Sequence, residues 1–304
     1  MSAHSGPSDL RRVVGVGDLS IAIEVEFPEP ALQRQIGDLY GLYPQHGPDA
    51  LPDLTITLRR QNRRPTLFRH EIRVLANGHA PYPSVPVRWA VPVIEASINW
   101  FVWRYVARVL LIHAAVIERD GRTVLLPGPS GAGKSTLCAA LLARGWRLLT
   151  DEIAMVRPQD GRLQPHPRPI SLKDGAIDIV AGMLPDAHFS ERFAHATKGA
   201  IAFMRPPTRS IEMAGETATP AVVAFPRYRP GSGLELARIE KAQAFMRLIE
   251  SSANYLMLLE TGFETLANLV ESCDHYSLVY ESLEDAVAVI ERLEPASKGI
   301  EQVA

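Results

Sequence analysis

The chain has 304 residues, enough for one large or two modest domains with a sizeable core. Its 32 Lys and Arg against 34 Asp and Glu leave a net charge of −2, which argues against a dominant nucleic-acid or anionic-membrane surface. Cys138 and Cys273 are too few for a disulfide framework. Met1–Arg12 carries no apolar leader pattern, so a reducing, cytoplasmic setting is expected.

Residues 1–12 read as disordered. Val13 to Phe27 carries strand alternation, clearest from Ser20 onward. Pro30 to Tyr43 suggests a short helix ending near Gly41. Asp53 to Arg60 and Phe68 to Ala76 alternate again, the second ending on the Asn77-Gly78 turn signal. Residues 13–90 therefore read as a small strand-rich domain, with prolines at 81, 83, 86 and 92 marking its exit. Its basic run, Arg59, Arg60, Arg63 and Arg64, reads as a solvated loop.

Val93 to Leu111 has one apolar stripe at helical spacing, with Trp100 and Trp103 as packing residues. Its charges, and His113 just beyond, interrupt it too often for a membrane span. Leu111 to Ile117 has the composition of a buried strand, and Asp120-Gly121 turns the chain into a second, Thr123–Leu126. There follows Gly128-Pro129-Ser130-Gly131-Ala132-Gly133-Lys134-Ser135-Thr136, then a helical run from Leu137 to Ala143. Strand, glycine loop and helix in this order, with the spacing G-x-x-x-x-G-K-[ST], form the phosphate-binding pattern. Backbone N–H groups and the helix's positive end face a phosphate chain. Lys134 reaches the outer phosphates, and the Ser135 hydroxyl is placed for Mg²⁺.

Trp146 to Thr150 reads as a strand carrying Asp151-Glu152 at its carboxyl end, where ligands of open α/β sheets sit. Ile153–Val156 continues as a strand. Pro165 to Lys173 reads as a proline-shaped loop, Lys173 to Leu184 as a short helix, and 186–200 as a polar segment able to act as a lid. Ala221–Phe225, Leu234–Ile239 and Tyr276–Tyr280 are expected strands; Lys241–Glu250, Thr261–Ser272 and Leu283–Leu293 are expected helices; the tail after Pro295 is expected to fray. Asp151 and Glu152 can divide the work of proton acceptor and metal ligand beside such a loop. They come 17 positions after Lys134, which favours a kinase over ATPases whose Asp-Glu strand lies much later.

These residues resemble the catalytic domain of the HPr serine kinase/phosphorylase family. His113 precedes Gly128 by 15 positions, and Arg144-Gly145-Trp146-Arg147-Leu148-Leu149-Thr150-Asp151-Glu152 follows the loop, as in that family. The likeness spans about residues 108–240, and the whole chain is more similar to the HPr kinase-related kinase A group. It implies an α/β fold with a P-loop nucleotide-binding core of the HPr kinase/PEP carboxykinase kind over 91–295; the small strand-rich domain over 13–90, read from its own alternation, does not resemble that of the HPr enzyme, and 296–304 is expected to be a flexible tail. It implies ATP and Mg²⁺ as cofactors, the nucleotide lying on Gly128, Pro129, Ser130, Gly131, Ala132, Gly133, Lys134, Ser135 and Thr136. Asp151 takes the place of the proton acceptor, His113 that of the active-site histidine and Lys134 that of the phosphate-binding lysine, with Ser135 a metal ligand. The family's second acidic residue is Asp where Glu152 stands, and Glu152 is the candidate second metal ligand. The family's later metal-binding Glu has no counterpart in Arg168–Lys173, where Arg168 or Lys173 either meets phosphates or orders the loop. The dephosphorylation stretch is replaced by Pro226–Gly233. The kinase A group implies a protein or ribosomal-peptide acceptor and a PqqD-like peptide-binding partner, and the HPr enzyme implies a homo-oligomer. A hydroxyl kinase is the leading expectation; a small-molecule kinase and a nucleotide-gated binding module that folds 186–200 over its ligand stay open.

Overall fold

The computed structural model describes residues 10–47, 49–61, 71–195 and 199–293. The chain divides into two units, one of residues 1–107 with 166–215 and the other of 108–165 with 216–304.

The first unit opens on a hairpin. β1 (Leu10–Val16) and β2 (Leu19–Val25) pair from Leu10 with Val25 to Val16 with Leu19. The single strand expected over 13–27 is therefore two, turned at Gly17-Asp18, where Gly17 takes φ 58°. Leu10–Arg12, expected to be disordered, belong to β1 because that register carries them; residues 1–9 lie outside the described residues. α1 (Pro30–Tyr40) starts on proline and stops at Gly41, close to expectation. β3 (Gln45–His46), β4 (Leu54–Gln61), β5 (Glu71–Ala76) and β6 (Val85–Pro86) complete a six-stranded sheet in the order β3-β1-β2-β4-β5-β6. Of the basic run, Arg59 and Arg60 lie on β4 and pair with Glu26 and Glu29; Arg63 and Arg64 fall outside the described residues.

α2 (Ala90–Tyr105) buries Ile94, Ile98, Phe101 and Val102 along one stripe. It ends six residues before the expected Leu111. Val106 leaves helical geometry at ψ 85°, and Leu110–Leu111 are claimed by strand pairing. Apolar, β-branched runs fit either state, so tertiary pairing decides.

The second unit begins with β7 (Leu110–Arg119), paired antiparallel with β8 (Arg122–Pro127). α3 (Lys134–Leu142) follows, then β9 (Arg147–Thr150), β10 (Ile153–Val156) and β11 (Leu163–Gln164). β9 and β10 pair with successive parts of β7.

Residues 166–215 return to the first unit. β12 (Ile170–Lys173) replaces the end of the expected loop. α4 is Gly175–Met183, β13 Phe193–His195, β14 Gly199–Met204 and α5 Thr208–Glu212. Much of the expected lid is tied into a three-stranded sheet, β12-β14-β13. The Ser190 and Arg205 N–H groups donate to the carbonyls of Phe203 and His188. Residues 196–198 lie outside the described residues. Arg168 is buried here, with Nη1 2.9 Å from Glu95 Oε2 and Nη2 bonded to Asn99, while Tyr40 donates to Glu95. That supports its loop-ordering reading over phosphate contact. Lys173 stands exposed at the end of β12.

The second unit resumes with β15 (Val222–Tyr228), β16 (Glu235–Arg238), α6 (Lys241–Glu250), α7 (Leu259–Ser272), β17 (Asp274–Tyr280) and α8 (Leu283–Arg292). These match expectation within a few residues at each end. β15 lies parallel between β8 and β17, giving the order β11-β10-β7-β8-β15-β17-β16. Ile112, Ala114 and Val116 of β7, with Leu125, Val223 and Phe225, pack against Leu248, Leu266 and Leu269 of α6 and α7. α3 and α8 adjoin strands of the same sheet. The protein is thus a mixed α/β structure with three sheets among the described residues. No described helix is long and apolar enough to cross a membrane.

Candidate functional site

Register brings the expected residues together. On β7, Ala114 faces Pro127, so the next step places His113 beside the start of the glycine loop, and its carbonyl accepts the Gly128 N–H at 3.4 Å. The other edge of β7 pairs His113 with Ile153, directly after Asp151-Glu152, and the Glu152 carbonyl accepts the Ala114 N–H at 3.2 Å. One strand therefore carries the loop on one side and the acidic pair on the other. His113 is half-buried.

The loop itself is shaped by glycine. Gly131 and Gly133 take φ of 87° and 92°, a region that side-chain-bearing residues rarely adopt. Gly133 caps α3, and its carbonyl accepts the Leu137 N–H at 2.9 Å. Lys134, only 6% exposed, is the first helical residue, and its ammonium donates to the Gly128 carbonyl at 2.6 Å and the Pro129 carbonyl at 3.0 Å. The lysine thus spans the opening of its own loop.

Ser135 Oγ donates to Asp151 Oδ2 at 3.1 Å, joining the first turn of α3 to the end of β9. Asp151 is buried at 8% exposure, whereas Glu152 beside it is half-buried. The negative field of Asp151 reaches Cys138, one turn beyond Ser135. Burial chiefly, and Asp151 second, hold that thiol well above its usual range. Both cysteines are buried and outside any disulfide, and Cys138 is core.

Two residues at the site carry no signal in the sequence. Tyr280, at the end of β17, donates its hydroxyl to the Gly133 carbonyl at 3.3 Å. Tyr228, at the end of β15, donates its backbone N–H to the Ala132 carbonyl at 3.2 Å. Their rings meet edge to face, centroids 5.8 Å apart. A Cβ on Gly133 would overlap the Tyr280 hydroxyl and come within 3.3 Å of Tyr228 Cβ. Burial, and Tyr228 secondarily, push the Tyr280 pKa upward, so it remains a protonated donor. Tyr228 falls in the Pro226–Gly233 stretch and Tyr280 in an ordinary strand, and neither is marked there as a site residue; parallel pairing of β15 with β8 and β17 delivers them to the loop.

The Arg-Gly-Trp-Arg segment works inside the fold. Gly145, at φ 83°, ends α3, and the Trp146 N–H returns to the Leu141 carbonyl. Trp146 lies beneath the guanidinium groups of Arg119 and Arg122. Arg147 is buried against Glu118 at 3.0 Å, which sets β9 on β7 and so fixes where Asp151 emerges. Among the described residues no three His, Cys, Asp or Glu side chains gather to hold a metal ion. A metal at Ser135 and Glu152 would take its remaining ligands from phosphate oxygens and water, the usual arrangement for Mg²⁺. The donor set of hydroxyl and carboxylate is hard oxygen and fits that ion.

The chain is similar to several known proteins. The family model described as SynChlorMet cassette protein ScmC matches residues 90–173, a span holding His113, the glycine loop and Asp151-Glu152. An HPr kinase/phosphorylase of Clostridium botulinum is 38% identical over 52 residues, 17% of each chain. One from Cupriavidus necator is 27% identical over 46% of this chain and 50% of its own length. One from Listeria welshimeri is 30% identical over 29% of this chain and 28% of its own. The chain spans between 17% and 50% of the length of these relatives. The expected resemblance to the HPr kinase/phosphorylases is borne out.

Proposed function

We propose that the chain is an ATP-dependent P-loop kinase of the HPr kinase kind, transferring the γ-phosphoryl group to a hydroxyl, Ser or Thr of a protein or ribosomally made peptide. The observation that carries this reading is the Ser135–Asp151 hydrogen bond at the mouth of the glycine loop, beside Lys134. ATP would supply the phosphoryl group, and Ser135 and Glu152 would hold the Mg²⁺, whose contribution would be to neutralise phosphate charge. Lys134 exchanges its two loop carbonyls for phosphate oxygens. Asp151 orients the acceptor hydroxyl and takes its proton. His113, fixed between the loop and the acidic pair, belongs to the same site. The relatives named HPr kinase/phosphorylase support a kinase-type activity; the proposal adds a PqqD-like peptide-binding partner.

The test is transfer of labelled γ-phosphate from ATP to neighbouring-gene proteins and peptides. Asp151→Asn is expected to lower transfer by a factor of about 100 or more while leaving nucleotide affinity within about twofold. Lys134→Ala is expected to weaken nucleotide binding or transfer. Full turnover by Asp151→Asn would remove the proton-acceptor role. Hydrolysis without a labelled acceptor would favour a nucleotide-binding module.

A further inference from the structure

The corner between α6 and α7 has no part in the chemistry above, yet it concentrates exposed apolar surface. Of the thirteen large apolar side chains exposed among the described residues, five fall between 246 and 263: Met246, Leu256, Met257, Leu259 and Phe263. Leu256 and Leu259 are 80% and 77% exposed. Isolated exposed leucines are ordinary; a cluster of this kind marks an interaction surface.

The corner is built rather than loose. Buried Asn254 accepts the Leu111 N–H and donates to the Val109 carbonyl, both at 2.8 Å, pinning the loop to the start of β7. A Cβ on Gly262 would lie 2.6 Å from the Tyr255 carbonyl oxygen, so loop and helix touch closely. Phe245 sets edge-on contacts with Tyr255 and Phe263. Leu259 itself has φ 51°, a left-handed conformation that costs a leucine energy and persists where surroundings enforce it. The fold therefore holds a strained leucine out in water.

Charge selects the occupant. Three carboxylates, Glu250, Glu260 and Glu264, fall within the stretch 246–264, where the one cation, Arg247, lies over the Phe225 ring; exposed Arg108 precedes Val109, and farther along Glu271, Asp274 and Glu291 are paired with Lys241, Arg238 and Arg119. Glu250, Glu260 and Glu264 are exposed around the apolar cluster, and none forms an ion pair among the described residues. An apolar surface containing two methionines, rimmed by carboxylates, is complementary to an amphipathic segment with apolar anchors and basic flanks. Since β7 runs antiparallel to β8, its start at Val109–Leu110 projects past the carboxyl end of β8, where the glycine loop lies. The corner thus stands at the same end of the sheet as the loop.

We propose that the α6–α7 corner is a docking surface for a basic amphipathic polypeptide segment. It stands apart from phosphoryl transfer, and binding alone tests it. The probe is a fluorescein-labelled peptide of Leu and Lys at helical spacing, lacking hydroxyl residues, titrated with the full chain; a Leu/Glu peptide of the same pattern is the control. The Leu/Lys probe is expected to bind at least tenfold more tightly than the control. Leu256→Ser with Met257→Ser should weaken it about tenfold. Glu260→Lys with Glu264→Lys should weaken it similarly and flatten its salt dependence. All these positions are exposed, and circular dichroism checks that the variants fold. Equal binding of both peptides, no binding, or binding unchanged in both variants would overturn the proposal. So would a wild-type dimer in sedimentation that Leu256→Ser with Met257→Ser dissolves, which would assign the surface to a second copy of the chain.

Discussion

At the scale of single residues, the proposed chemistry falls to some groups and the shaping of the loop to others. Lys134, Ser135 and Asp151 are legible because the proposed phosphoryl transfer demands particular side chains at particular spacings. Tyr280 was not, because its contribution is one hydrogen bond to the Gly133 carbonyl, made across a parallel strand pair. It acts as a positioning residue. Removing that hydroxyl alone costs roughly 1 kcal/mol of loop order, about a fivefold change in an equilibrium constant. Tyr280→Phe is therefore expected to weaken fluorescent-nucleotide binding about fivefold without loss of fold. Gly133→Ala should be far more damaging, since it adds both a clash and an unfavourable φ. A Tyr280→Phe variant with unchanged nucleotide affinity would show that the ring packing alone holds the loop.

Elements were read best where local signals agreed with their tertiary surroundings. α6 appears with the expected bounds, and α8 within one residue. In α8, Ser282 accepts the Asp285 N–H at 3.2 Å, with Glu284 and Asp285 in the first turn. Ser282→Ala should lower thermal stability by about 1 kcal/mol, read from unfolding of the full chain. No change would mean that α8 is held by Ala286, Val287 and Ile290 alone. Errors fell where local signals were ambiguous. The end of α2 was placed too far along because Val106–Leu111 can be helix or strand, and β7 pairing settles it. The β1–β2 turn was overlooked because alternation on both sides of Gly17-Asp18 reads as one strand.

For the whole molecule, what the chain order hides is where residues 166–215 go. They join the first unit through buried polar contacts: Arg168 with Glu95 and Asn99, Tyr43 donating to the Pro167 carbonyl at 2.8 Å, and His166 Nδ1 3.2 Å from the Val16 carbonyl. This arrangement gives stability a pH dependence. Burial first, and Arg168 second, pull the His166 pKa from 6.5 down to about 3, against the hydrogen bond to Val16. Folded His166 stays neutral while the unfolded chain takes up a proton below pH 6.5. The unfolded state binds more protons in that window, so stability falls as pH drops from 6.5 toward 3 and then levels. The slope is about 1.4 kcal/mol per pH unit from this group. Urea unfolding at pH 6.5 and 5 should show wild type losing about 1.6 kcal/mol more than His166→Gln. Parallel losses would show that His166 does not titrate between folded and unfolded states in this way.

The nucleotide-binding pattern is written locally along the chain: a glycine loop, its lysine and serine, a histidine upstream and an acidic pair downstream, at spacings that strand and helix patterns make readable. Such signals survive because each depends on neighbours a few positions away. The distant residues that brace the loop are selected by sheet register. Tyr228 and Tyr280 reach the loop through pairing across more than 90 positions, Arg147 fixes Asp151 through Glu118, and Arg168 spends its charge on Glu95 inside the first unit. Contacts between residues far apart in the chain leave no periodic trace along it, so sheet register had to supply them.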